Sequence, residues 1–243
     1  MKIAFTDGIW SRLYGPYGNR SVNTHLKALS ERWDDAVAKA LFWEELHHQD
    51  DIYPATFASL PWLVELSTSG EETHLFLSHV IHCACTEGGT GCDGTGPRGK
   101  YRGLSTEVAD HHHSWIAQRE WMTIEDQPIL IELEQWFSEN CLEIAKRCLN
   151  SVNSDPVVSA YAIEGFASAH GGSRVAGSTQ MFADGEDVNL ISRELGAYDD
   201  RDTMVVAKLF PHIYKKNPDL ASFMLNYPGC TFVPDDPKQG NLF

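Results

Sequence analysis

Basic residues are scarce in this chain. Its 243 residues hold 19 Lys and Arg against 34 Asp and Glu, a formal charge of −15. A protein that grips nucleic acid must neutralise phosphates with cations, so this balance argues against general nucleic-acid binding. Long apolar runs are missing as well. No stretch approaches the ~18 consecutive apolar residues of a membrane span. The opening MKIAFTDGIW has one Lys and a short apolar run broken by Asp7, which is not the pattern of a secretory signal. The expectation is a cytoplasmic protein whose six Cys are reduced thiols, with no disulfide framework.

The familiar catalytic and cofactor signatures are also lacking: there is no GxSxG elbow, no Walker loop and no HExxH. Gly89-x-Gly91-x-x-Gly94 matches a dinucleotide fingerprint on paper. That motif needs a strand before it and a helix after it, whereas here a helix precedes and more glycine follows. No cofactor is expected. Glu125 with Asp126, and Glu164 near His170 across a helix end, come without partners that would define a reaction. No stretch alternates apolar and polar residues as a half-buried strand does, so the class reads as all-α.

Helical patterns fill most of the chain. Trp33 to His48 predicts one helix, with Asp34 and Asp35 at its positive end and Trp33, Val37, Ala40, Leu41 and Trp43 on one face. Glu44 falls on that face, with His47 and His48 three and four residues on. A carboxylate in an apolar stripe needs a partner, so Glu44, His47, His48 and Gln49 read as a structural polar cluster. A turn follows at 48–51, and Pro54 opens a second helix striped by Tyr53, Phe57, Leu60 and Val64 and kinked at Pro61. Further helices are expected at 21–32, 71–86, 104–121, 127–150, from Pro156 to a Gly171–Gly172 stop, 188–195, 203–215 and 218–225. Residues 88–103, with seven glycines, read as a flexible loop, 173–184 as a second loop, and 226–243 as an irregular tail.

One stretch resembles a known family. His48-Gln49, then Tyr53, Ala55, Thr56, Ala58, Pro61 and Leu63, are similar to the His-Gln…Tyr-x-Ala-Thr-x-Ala-x-x-Pro-x-Leu pattern of bacterial HEAT-like proteins. LYGPYGN (Leu13 to Asn19) and WDD (Trp33 to Asp35) look familiar in the same way. The match covers roughly the first quarter of the chain, and Asp50 stands where the family usually has Gly. The resemblance implies one HEAT-like α-solenoid of antiparallel helix pairs spanning residues 1–243. Some members of the family are thought to be immunity proteins of polymorphic toxin systems, so it also implies a non-enzymatic protein whose partner is a cognate toxin. It carries no catalytic residues.

Charge suits that role, because an acidic surface attracts a basic protein partner. Trp10, Tyr14 and Tyr17, as aromatic anchors, and Asp50 and Asp51 are the candidate partner-binding residues. A scaffold serving another protein partner is the second reading. A metal-dependent enzyme is the third, drawing on Glu44 and on His79, His82, Cys83 and Cys85. Zinc ligands do come as Cys/His pairs, but Cys-x-Cys is tight and no Cys-x-x-Cys follows.

Overall fold

The order of elements follows from caps and prolines more than from long apolar stripes. The computed structural model describes residues 1–17, 21–48, 51–66, 70–86 and 126–234. A 3₁₀ turn at Gly8–Ser11 is followed by helices α1 (Val22–Glu31) and α2 (Asp35–Ala40), then by a π-helical turn at Leu41–Glu45. Two-residue strands β1 (His47–His48) and β2 (Asp51–Ile52) pair antiparallel, with His47 opposite Ile52. Then come α3 (Pro54–Leu66), α4 (Glu71–Thr86), α5 (Gln127–Cys148), α6 (Pro156–Ala169), α7 (Ser173–Ala183), α8 (Val188–Leu195), α9 (Asp200–Ile213) and α10 (Pro218–Asn226). The protein is all-α in class, and no described helix is long and apolar enough to cross a membrane. The expected Gly-rich loop, the helix at 104–121 and the end of the tail lie outside the described residues.

Contacts divide the described residues into two units, one drawn from 1–73 and 126–140, the other from 74–86 and 141–234. In the first unit, Asp34 caps α2 by accepting from the backbone N–H groups of Ala36 and Val37. The single helix expected over 33–48 ends early. Its inward face is Ala38, Leu41, Phe42 and Leu46, while Ala40 and Glu44 are exposed. The π turn, which adds a residue per turn, re-aims the segment so that Phe42 rather than Trp43 points inward. Helix α3 runs through Pro61 and is buried over Pro54 to Pro61 on every face. Phe57 meets Phe137 edge to face at 5.3 Å.

The second unit stacks α6 on α7 and α7 on α8. Asp155 caps α6 and Pro156 occupies its first turn, where a missing N–H costs nothing. Gly171, at φ +78°, turns the chain out of α6. The loop expected at 173–184 is helix α7. Its inward face is built from Val175, Ala176, Ser178 and Thr179, small residues that carry little hydrophobic periodicity. The buried hydroxyls are satisfied inside the unit, Thr179 Oγ1 donating to Val175 O at 2.9 Å and Ser178 Oγ lying 2.5 Å from Tyr198 Oη.

Candidate functional site

The aromatic residues near the start of the chain are mostly structural. Trp10 and Tyr14 are each 3% exposed, so neither is the surface anchor expected of it; Tyr17, at 49%, is exposed. The reason is local. Trp10 Nε1–H donates to Ala4 O at 2.9 Å, and the Tyr14 carbonyl accepts from Ala55 N–H at 3.2 Å, tying the first segment to the start of α3. Burial raises the Tyr14 pKa. Asp50 and Gln49 lie outside the described residues, as do the side chains of His48 and Asp51. Within the expected polar cluster, Glu44 is exposed and His47 is half-buried, its ring 5.5 Å from Trp43 and perpendicular to it. Trp43 in turn donates to Glu72 at 2.6 Å. An exposed Glu44 removes the need for a buried partner from which that cluster was inferred.

Asp126 is buried and accepts both arms of Arg12, at 2.6 and 2.8 Å. This bidentate pair is a structural clasp in the first unit.

The second unit holds a buried polar seam between α4 and α6. Ser78 Oγ–H donates to Ala162 O at 3.3 Å and accepts from Gly165 N–H at 3.0 Å. His82 Nδ1 lies 2.7 Å from Ser168 Oγ, and His74 Nδ1 lies 2.7 Å from Ser151 Oγ. At the centre His79 Nδ1–H donates to Glu164 Oε1 at 2.9 Å, while His79 Nε2 lies 3.5 Å from Cys83 Sγ. The sulfur, imidazole and carboxylate therefore stand in one line, and all three residues are buried. Burial opposes charge on His79, but the Cys83 sulfur and the Glu164 carboxylate outweigh it and raise its pKa to about 10.

Glu164 thus pairs with His79 and not with His170, whose Nδ1 instead accepts from Lys208 Nζ at 3.1 Å. A glutamate inside the apolar run Ala160 to Ala169 was the signal available in the sequence; its partner, 85 residues away, was not. Of the four metal-ligand candidates, the structure joins His79 to Cys83. His82 is turned to Ser168, and Cys85 is two residues beyond Cys83, a rotation of roughly 200° about the helix.

A second feature lies on the surface of the second unit. A groove of about 320 Å³ is lined by Phe182, Val188, Asp219, Ser222, Phe223 and Asn226. Its floor is the Phe182–Phe223 stack, with ring centroids 4.4 Å apart. Val188 is exposed at 37%, and the segment joining Phe182 to Val188 carries exposed Asp184, Glu186 and Asp187. Asp219 is exposed on the α10 side. An apolar floor with Asp219 in its lining and three exposed carboxylates on the adjoining segment suits an apolar side chain flanked by cations. Sequence reading missed this groove, because Phe182 and Phe223 are brought together only by the packing of α7 on α10.

Comparison of the chain with protein-family models, with curated proteins and with solved structures finds no match.

Proposed function

We propose that this is a non-enzymatic protein-binding protein, an immunity protein that neutralises a basic cognate toxin by covering its surface. The observation that carries this reading is the groove floored by Phe182 and Phe223 and lined by Asp219, with Asp184, Glu186 and Asp187 exposed on the segment between Phe182 and Val188. Interfaces place buried aromatic and aliphatic anchors at the centre and charge at the rim. Net charge of −15 adds long-range attraction, which speeds encounter with a basic partner. The sequence resemblance of the His48 to Leu63 stretch supports the same role. A HEAT-like α-solenoid is part of the proposal. It is supported by short helices stacking in chain order, α6 on α7 and α7 on α8.

The test is co-expression of the tagged chain with the product of the adjacent reading frame, followed by affinity capture at low and high salt. The expected result is a stoichiometric complex with a basic protein. Changing Asp184, Glu186, Asp187 and Asp219 together to Lys should slow association at low salt by at least about tenfold. Lack of any complex, or an association rate indifferent to both salt and the four changes, sinks the reading.

A further inference from the structure

We propose that His79 and Cys83 form a binding site for a divalent metal ion of the zinc class, with Glu164 as the group that holds the imidazole in place. The proposal concerns the buried seam and stands apart from the surface groove, so either can fail alone.

The geometry is already that of two ligands on one ion. Tetrahedral zinc sits ~2.3 Å from sulfur and ~2.0–2.1 Å from imidazole nitrogen, which separates the two donor atoms by roughly 3.5 Å. His79 Nε2 and Cys83 Sγ are 3.5 Å apart. The two residues are at i and i+4 on α4, so one helix face presents both. Zinc accepts this mixed nitrogen and sulfur donor set, and its preference for thiolate separates it from magnesium and calcium.

Glu164 supplies what a bare pair would lack. Its Oε1 accepts from His79 Nδ1–H at 2.9 Å, which leaves Nε2 as the donor atom and aims its lone pair toward Sγ. A carboxylate behind a metal-bound histidine both orients the ring and raises its basicity. Glu164 is itself held in the apolar interior of α6, where a carboxylate without a fixed task is costly. Binding puts the metal in place of the one proton held between Sγ and Nε2, and that proton is released to solvent. The two protein donors leave the remaining positions to water or to further donors.

The probe is Co²⁺, then Zn²⁺, added to the full chain after treatment with a chelator and dialysis. The expected result is a thiolate-to-cobalt absorption band that saturates at one ion per chain and is bleached by Zn²⁺. Cys83→Ser should abolish the band, whereas Cys141→Ser and Cys148→Ser should keep it. Glu164→Gln should keep the band but weaken affinity about 10- to 100-fold. Should Cys83→Ser not fold, alkylation of the wild-type chain decides. Zn²⁺ should slow modification of Cys83 at least tenfold more than that of Cys141 or Cys148, read by peptide mapping. Absence of a thiolate band in the wild type, its persistence in Cys83→Ser, or equal protection of the three thiols overturns the proposal.

Discussion

A methyl group on Gly165 would fall 2.4 Å from the carbonyl oxygen of Ser78 and 2.8 Å from its Cα, which is backbone that cannot swing aside. Gly165→Ala should therefore push α6 off α4 and cost about 3 kcal/mol, as overpacked cores do. At Gly8 an added Cβ meets nothing within 4 Å, and Gly8→Ala should stay within about 0.5 kcal/mol of the wild type. Urea unfolding of the two variants measures the contrast. His74 gives a pH test at the same scale. It is buried, and its pKa is lowered, first by burial and then by the charge of Arg147. The folded state thus holds it neutral, while the unfolded chain takes up a proton near the ordinary value of 6.5. Stability from this residue is complete above that value and falls as the pH drops below it toward the lowered folded pKa. Unfolding followed at pH 7.5, 6.5 and 5.5 should show that loss, and His74→Gln should reduce the slope. Equal slopes in the two proteins would remove His74 from the account.

At the scale of the element, the start of α9 is the clearest case of a helix made by its cap. Asp199 accepts from the N–H groups of Arg201 and Asp202 at 2.9 and 3.0 Å, and Asp202 Oδ2 accepts in return from Asp199 N–H at 3.2 Å. Arg174, from α7, donates to both carboxylates at 2.6 and 3.0 Å. Asp199→Ala removes the cap and one arm of that bridge and should cost about 1–2 kcal/mol, read as a lower melting temperature. Asp199→Asn keeps an acceptor and should cost less. Caps and prolines of this kind were the legible part of the fold. Pro156 marked the start of α6, and the helices expected at 127–150 and 188–195 are α5 and α8. Helix α7 was not legible, since Ser178 and Thr179 occupy its inward face and Gly177 sits mid-helix, close against Leu195. The π turn after α2 was hidden for another reason: a one-residue change of register cannot be seen in a pattern that carries apolar residues at Leu41, Phe42 and Trp43 alike.

At the scale of the whole molecule, charge was legible at once and the sites were not. An excess of acids can be counted in the sequence, but the apolar floor at Phe182 and Phe223 and the line from Cys83 through His79 to Glu164 are products of packing between distant segments. Trp10 and Tyr14 show the converse. Aromatic residues among glycines near the chain start look like surface anchors until a backbone partner such as Ala55 is found for them. Helix α3 carries a consequence of this same dependence on later segments. From Pro54 to Pro61 it is buried on every face, and the ring that meets Phe57 belongs to Phe137, which leaves the ribosome roughly 80 residues later. At ordinary synthesis speeds of about 5–20 residues per second, that is a wait of about 4 to 16 s. Throughout it the nascent chain has the segments before α3, among them α1 and the stretch holding Tyr14, to lay against that helix, and the Phe57 side waits for its partner.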